Sequence, residues 1–163
     1  MNRHSPVTIR DGAHVYALRV YYEDTDAAGV VYHANYLRFA ERARTEAMRD
    51  IGAPHAEMAD QTGLIFMVRR AELDYLAPAR LDDSLVVETR ARSMRAATVV
   101  IDQEIRRAES RESVLVSVRI ELACVSSADG RARKIPPRWR AALAGLMNDE
   151  MPANEHPANE HKG

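Results

Sequence analysis

The chain has 163 residues, of which 46% are hydrophobic, and this suits one globular domain with a substantial core. Its formal net charge of -1 excludes a global electrostatic attraction to nucleic acid or to an anionic membrane, so any phosphate must be bound by local arginines. The single cysteine, Cys124, excludes an internal disulfide, and the alternating pattern around it favours a buried hydrophobic role over a catalytic thiol.

The N-terminal residues 1–13 are polar and contain a proline, and we predict a loose arm there. They contain no apolar run of the kind found in signal peptides. No stretch of the chain approaches the ~18 consecutive apolar residues of a membrane-spanning helix. The sequence therefore predicts a cytoplasmic protein without a membrane span, and the lack of an aromatic-rich basic face argues against a nucleic-acid partner.

An alternating segment and a helical pattern form the first part of the predicted domain. Residues 14–22 alternate in the manner of a half-buried strand. From Asn35 the spacing becomes helical, until Gly52 and Pro54 end the pattern. One face of this helix carries mostly small side chains, which would let the helix approach a sheet closely. Its residues are Tyr36, Ala40, Ala43, Ala47 and Ile51.

Four strand candidates follow an exposed connection at residues 54–63, which contains His55. The strands are predicted at residues 64–75, 85–92, 97–107 and 113–125. The short breaks between the last three suit hairpins, so we predict that the four strands pair antiparallel in series. One strand, one helix and four further strands indicate the α+β class, with the helix packed on one face of the sheet.

The C-terminal part of the chain is predicted to hold a short helix and a tail. Residues 137–147 have helical spacing, and Trp139 is expected to dock this helix on its own domain rather than on an anionic surface. The pentapeptide Pro-Ala-Asn-Glu-His occurs twice, at 152–156 and 157–161, which is too short for a repeat fold. We therefore predict one domain over residues 14–147 and a disordered tail over residues 148–163.

Three carboxylates lie just before the predicted helix start, at Glu23, Asp24 and Asp26. The first N–H groups of a helix have no intrahelical partners and carry a partial positive charge. They can hold an oxygen that becomes negative during a reaction, while a nearby carboxylate serves as nucleophile or base. The same residues are also typical of an acidic turn with a helix cap, which the local pattern alone favours.

A longer motif favours the catalytic interpretation of these carboxylates over the acidic turn. The run Asp-Thr-Asp-Ala-Ala-Gly-Val-Val-Tyr-His-Ala-Asn-Tyr, residues 24–36, resembles the signature of the 4-hydroxybenzoyl-CoA thioesterase branch of the hotdog-fold superfamily. The further run Glu-Arg-Ala-Arg-Thr-Glu, residues 41–46, is most similar to the small acyl-CoA thioesterases associated with the Tol-Pal system. The resemblance implies a hotdog fold, in which a curved antiparallel sheet of five strands wraps around a central helix. It also implies a homodimer that assembles to a homotetramer, because hotdog sites generally form between two subunits.

The resemblance assigns roles to particular residues. Asp26 is expected to attack the thioester carbonyl or to activate a water that does so, and this choice stays open. The backbone N–H of His33 would hold the oxyanion, and its imidazole could orient Asp26, water or the thiolate leaving group, or make a structural hydrogen bond. Glu41, in a charged run expected on a solvated or subunit-facing surface, is a distant second candidate. The residues expected to bind substrate or to support the site are Tyr22, Gly29, Val30, Tyr32, Asn35, Tyr36, Phe66 and Arg95. Asn35 is expected to cap the helix through its amide oxygen.

The expected substrate is an acyl-CoA thioester, without a metal or cofactor, since this hydrolysis requires no Lewis acid. Arg95 matches a position where the family binds the CoA phosphates, but Ala96 and Ala97 stand where the 4-hydroxybenzoyl enzyme has further polar or basic groups. This departure leaves an acyl-carrier-protein substrate open. The Asp-Ala-Ala-Gly turn argues against a hydratase or dehydratase on the same fold. A non-catalytic protein that binds acyl thioesters, or a partner of an envelope complex, stays an alternative.

Overall fold

The computed structural model describes residues 9–147, which form one antiparallel sheet with helices packed against it. The strands are β1 (Ile9–Arg10), β2 (Ala13–Arg19), β3 (Leu64–Tyr75), β4 (Ser84–Met94), β5 (Thr98–Arg107) and β6 (Val114–Ser126). The helices are α1 (Asn35–Asp50), α2 (His55–Thr62) and α3 (Pro137–Ala144), and a 3-10 turn spans Tyr22–Asp24. The predicted α+β hotdog arrangement is confirmed. Within residues 9–147, no helix is both long and apolar enough to cross a membrane.

The sheet order is β1-β2-β4-β5-β6-β3. The predicted β4–β5 and β5–β6 hairpins are confirmed. The prediction that all four strands pair in series is wrong for β3, which pairs with β6 and lies at an edge of the sheet. The reason lies in the segment 76–83 after β3, whose backbone bonds go to Leu115, Val31 and Val20 instead of closing a hairpin turn onto β4.

The N-terminal edge of the sheet differs from the five-stranded prediction. Residues 9–13, assigned to a loose arm, form a tight hairpin in which β1 pairs with β2. Asp11 and Gly12 make its turn with φ values of 51° and 74°. The rest of the predicted arm, residues 1–8, and the predicted tail, residues 148–163, lie outside the described residues.

The core lies between α1 and the sheet. α1 packs against β2, β4 and β6, and its predicted stripe of small residues is buried, with Ala40, Ala43 and Ala47 at most 1% exposed. Side chains of β4, β5 and β6 alternate between buried and more exposed, so each strand turns one face toward the core. Trp139 of α3 is also buried, so α3 docks on its own domain as predicted, and the Cys124 side chain is buried as predicted.

The segment after α1 was predicted as an exposed connection, and this is wrong. Residues 55–62 form α2, which begins after Pro54 and ends at Gly63, where φ is +67°. Only Met58 of this helix is fully buried, so the sequence carries too little periodicity to reveal it. His55 at its start is half-buried, with its ring 6.1 Å from that of Phe66 in an edge-on contact.

The close packing of α1 can be tested by enlarging its small stripe. We expect Ala43→Leu to lower the free energy of unfolding by about 1–3 kcal/mol, because the added atoms have no room beneath the helix. Arg42→Leu on the exposed face is the control and should stay within about 0.5 kcal/mol of wild type. Denaturant unfolding at one protein concentration measures both. Equal stability of the two variants would contradict close packing of α1.

Candidate active site

The loop between β2 and α1 folds back on itself around Asp26. The Asp26 N–H donates to the Val30 carbonyl at 2.9 Å, and the Gly29 N–H donates to the Asp26 carbonyl at 3.0 Å. Gly29 has a φ of +78°, a left-handed conformation that favours glycine, so a glycine suits the backbone of this turn. One oxygen of the Asp26 carboxylate accepts the Ala28 N–H at 2.8 Å. The side chain is exposed, and its second oxygen has no hydrogen-bond partner among residues 9–147.

The carbonyl of Asp24 holds this loop to the beginning of α1. It accepts two hydrogen bonds, from the Tyr32 N–H at 2.9 Å and from the Asn35 side-chain nitrogen Nδ2 at 2.8 Å. The Asp24 carboxylate faces the other way and accepts the Tyr21 N–H at 2.8 Å. The prediction that Asn35 caps the helix with its oxygen is therefore wrong. Asn35 is the first residue of α1, follows Ala34 as N-cap, and acts through its amide donor.

His33 lies at the helix entrance, where its backbone N–H has no acceptor among residues 9–147. Its imidazole is exposed and contacts two aromatic rings, that of Tyr32 at 4.4 Å and that of Tyr75 at 6.4 Å between centroids. The Tyr75 hydroxyl donates to the His33 carbonyl at 3.1 Å. The helix entrance is thereby positioned with the His33 N–H unpaired in the loop that also carries the Asp26 turn, an arrangement that can stabilise developing negative charge.

Tyr36 supports the same loop from the buried side of α1. It is 3% exposed, and its hydroxyl oxygen accepts the Ala79 N–H at 3.0 Å. The Ala79 carbonyl in turn accepts the Val31 N–H at 2.9 Å. Burial raises the pKa of Tyr36, so the hydroxyl stays protonated and neutral. The adjacent residue Val30 forms a β-bridge with Arg80, which ties the Asp26 turn to the segment before β4.

The structure does not bring all the predicted site residues together. Tyr22 is 82% exposed on the 3-10 turn, and Tyr32 is 47% exposed. Phe66 faces a different region, between α2 and β3. Arg95 lies in the hairpin after β4, whereas the Asp26 turn lies beside the residues before β4. Because β4 has 11 residues, these two positions are roughly 30 Å apart in one chain.

Sequence reasoning missed two parts of this region. Tyr75 and Ala79 hold the helix entrance and the loop through the two hydrogen bonds described above. Tyr75 ends the predicted strand and Ala79 lies in the non-periodic segment after it, and neither pattern indicates which distant residue a side chain or a backbone group contacts. Arg44, in the charged run predicted to be solvated or subunit-facing, is buried at 9% exposure. Within residues 9–147, no group of three or more His, Cys, Asp or Glu side chains is placed to hold a metal ion.

Comparisons with known proteins place this loop and helix in a known context. The profile of the thioesterase superfamily matches residues 28–114, a span that includes Gly29, His33 and α1 and begins two residues after Asp26. The acyl-CoA thioesterase YbgC of Haemophilus influenzae is 38% identical over 136 residues, covering 83% of this chain and 98% of that protein. The acyl-CoA thioester hydrolase YbgC of Escherichia coli is 44% identical over 120 residues, covering 73% of this chain and 87% of that protein.

A solved structure supports the same assignment at the level of the fold. The crystal structure of a 1,4-dihydroxy-2-naphthoyl-CoA thioesterase from Synechocystis superposes with a TM-score of 0.75 at 25% identity. The match covers 81% of this chain and 96% of that one.

Asn35 donates a hydrogen bond through its side chain, whereas an ordinary helix N-cap accepts one, and this difference can be tested. We expect Asn35→Asp to lower the free energy of unfolding by about 1–3 kcal/mol at neutral pH, because a carboxylate oxygen would face the Asp24 carbonyl. The favourable interaction of the new carboxylate with the helix dipole would offset at most about 1 kcal/mol of this loss. Thermal and denaturant unfolding measure the change, and part of the loss should be recovered at acidic pH, where the carboxyl can donate. Unchanged stability at neutral pH would instead indicate the capping role through oxygen.

Proposed function

This chain belongs to the thioesterase superfamily, and on that premise we propose that it hydrolyses acyl-CoA thioesters at the Asp26 turn and the entrance of α1. The predicted family, which rested on residues 24–36 and 41–46, is confirmed by relatives named acyl-CoA thioesterase or thioester hydrolase. The reaction class is therefore hydrolysis of a thioester. The roles of individual residues go beyond that class and are argued from the geometry.

The observation that carries the proposal is the pair of unused groups at the helix entrance. The His33 N–H has no acceptor among the described residues, and one oxygen of the nearby exposed Asp26 carboxylate has no donor. A thioester carbonyl between them would find a hydrogen-bond donor for its oxygen and a base or nucleophile for its carbon. The positive end of the α1 dipole adds to the stabilisation of the oxyanion.

Two routes lead to the same products. In the first, an Asp26 oxygen attacks the thioester carbon, the C–S bond breaks with release of the CoA thiolate, and water hydrolyses the resulting anhydride. In the second, Asp26 takes a proton from water, whose oxygen attacks the same carbon, and the proton passes to the leaving thiolate. Each route consumes one water and yields a carboxylic acid and CoA. The exposed imidazole of His33 is available to donate a proton to the thiolate.

Glu41 is the competing carboxylate, and its position argues against it. It lies on the exposed face of α1, six residues after the first helical residue, and it lines a cavity with Arg44 rather than facing the unpaired His33 N–H. The free N–H groups of a helix are confined to its first turn. Asp26 is therefore the better candidate for the carboxylate that acts beside the oxyanion.

The sheet edge supports the proposed homodimer. β3 pairs with β6 on one side only, which leaves a 12-residue strand with a free edge. Exposed apolar side chains lie along and just beyond this strand, including Met67, Val68, Tyr75 and Leu76, each at least 50% exposed. Edges of this kind are normally covered, and a second copy could do so. A tetramer and a cytoplasmic location stay predictions from the sequence.

The role of Asp26 can be tested with matched carboxylate variants. We expect Asp26→Asn to lower kcat for acyl-CoA hydrolysis by about 10²–10⁴-fold with little change in stability, because the amide can neither attack nor accept a proton. The exposed Glu23 of the same loop provides the control, and Glu23→Gln should keep normal turnover. Thiol release from short, long and aromatic acyl-CoAs measures the effect. A comparable loss in Glu41→Gln, with Asp26→Asn active, would move the chemistry to Glu41.

Because Arg95 and Asp26 lie far apart in one chain, a second prediction concerns how Arg95 binds the phosphates of CoA. If Arg95 binds the nucleotide phosphates, it must do so for the site of a partner subunit. We expect Arg95→Met to raise KM for an acyl-CoA by about tenfold, with kcat and the KM for the matching acyl-pantetheine unchanged, because only the CoA phosphates lose a charged partner.

A hybrid dimer separates the two arrangements of Arg95. Differently tagged Asp26→Asn and Arg95→Met chains are assembled and the mixed dimer is purified. If Arg95 acts across the dimer, one site retains both residues and shows the wild-type KM. If it acts within its own chain, the active site keeps Asp26 beside Met at position 95 and its KM stays high. A normal KM in the Arg95→Met homodimer would contradict phosphate binding and favour an acyl-carrier-protein substrate.

A further inference from the structure

Tyr75 is the last residue of β3, and its side chain reaches from the sheet to the entrance of α1. Its backbone pairs with Val116 of β6. The two N–H groups that follow it, at residues 76 and 77, both donate to the Leu115 carbonyl, at 2.9 and 3.0 Å. The backbone that carries Tyr75 is therefore fixed to β6 at this residue and directly after it.

The ring of Tyr75 is supported by two other rings. It makes an edge-on contact with the buried ring of Tyr36, with the centroids 5.8 Å apart. Tyr36 is itself fixed, because its hydroxyl oxygen accepts the Ala79 N–H. The Tyr75 ring also meets the His33 imidazole edge-on, at 6.4 Å between centroids. These contacts restrict the directions in which the Tyr75 hydroxyl can point.

The Tyr75 hydroxyl donates to the His33 carbonyl at 3.1 Å. His33 precedes α1, so this carbonyl lies outside the helical hydrogen bonds, and Tyr75 is its one donor among residues 9–147. The N–H and the carbonyl of one residue are separated by only two rotatable bonds. Holding the His33 carbonyl to the sheet therefore restrains the direction of the His33 N–H, which has no acceptor in the described part of the chain.

The other hydrogen bond close to the His33 N–H is local. The Tyr32 carbonyl, which shares a peptide group with that N–H, accepts the Asn35 N–H at 2.8 Å. This bond belongs to the turn before α1 and moves with it. The Tyr75 hydrogen bond joins residues 42 positions apart, so it fixes the turn relative to the sheet.

We propose that Tyr75 is a positioning residue for thioester hydrolysis, which acts through His33 by holding the His33 N–H in the direction of the oxyanion. This inference rests on the proposed function, because it takes that N–H as the oxyanion donor. A donor that is fixed before negative charge develops needs no reorganisation during the reaction, and such donors contribute most to catalysis. Tyr75 itself makes no contact with the reacting atoms in this role.

The kinetic experiment removes the hydroxyl and keeps the ring contacts, in Tyr75→Phe. We expect kcat for acyl-CoA hydrolysis to fall by about tenfold with KM within about twofold of wild type, because a displaced donor weakens the transition state more than the bound substrate. Tyr21→Phe, at an exposed position before α1, is the control and should keep the wild-type kcat. Size-exclusion chromatography and thermal unfolding establish that both variants keep the wild-type assembly and fold.

A measurement on the free protein tests the positioning itself. NMR relaxation of the backbone amides of the full chain gives the order parameter of the His33 N–H. In Tyr75→Phe we expect it to fall from the ~0.85 of a rigid backbone toward the ~0.6 of a flexible one. Tyr21→Phe should leave it unchanged. The Asp26 amide, which is bonded to the Val30 carbonyl, should stay ordered in both variants and serves as the internal control.

The two measurements together decide the proposal. A lower kcat with an unchanged order parameter would assign the Tyr75 hydroxyl to direct contact with substrate and overturn the positioning role. A lower order parameter with an unchanged kcat would overturn it too, because the direction of the N–H would then not affect the chemistry. A higher KM at constant kcat would indicate a purely structural side chain and would also overturn it.

A failure of the proposed function gives a different result. Wild-type protein would then release no thiol from any acyl-CoA, and the hydrolytic role of Tyr75 would fall with it. A failure of Tyr75 alone leaves wild-type turnover intact and shows only in the comparison with Tyr75→Phe. The order parameter distinguishes the two cases further, since it is measured without substrate.

Discussion

The double acceptance of hydrogen bonds by the Asp24 carbonyl is the contact on which the site depends. One backbone oxygen holds the Tyr32 N–H and the Asn35 side chain, and so joins the end of the 3-10 turn to the first residue of α1. The chain between Asp24 and Tyr32 must therefore reverse direction, and it does so in the Asp26 turn, where Gly29 has a left-handed conformation. The Asp26 turn and the helix entrance are consequently fixed relative to each other by hydrogen bonds to backbone groups, some of them made by side chains.

The second constraint is the close approach of α1 to the sheet. Alanine side chains on the inner face bring the helix backbone near β2 and β4, close enough for Gln103 to reach the Ala40 carbonyl. This contact links the helix and sheet through a polar group in the core, and it leaves the Gln103 oxygen free to hold Arg44. A buried polar network of this kind is stable only if its members are satisfied, and the Gln103 side chain uses both its nitrogen and its oxygen here.

The sheet places the Asp26 turn and Arg95 at opposite ends of β4. The Asp26 turn lies beside the beginning of β4 and Arg95 lies beyond its end, so the proposed action of both residues on one CoA thioester would take Arg95 from a second chain. The free edge of β3 offers the means to bring them together, because a second copy paired there would extend the sheet. The proposed dimer would therefore contribute to substrate recognition as well as to assembly.

The sequence by itself determined the class of fold, the five strands β2 to β6 and α1 to within a few residues, and the family, because alternation, helical spacing and the run of residues 24–36 are local properties. It also led to Asp26 and His33, although their catalytic roles stay proposals. Only the tertiary structure decided that β3 lies at the edge beside β6, that Asn35 acts as a donor, and that Arg44 is buried beside a cavity. Each of these depends on a partner distant in the chain, such as Glu121 opposite Arg70 in the β3–β6 register or Gln103 beside Arg44, and no local pattern encodes which distant residue that partner is.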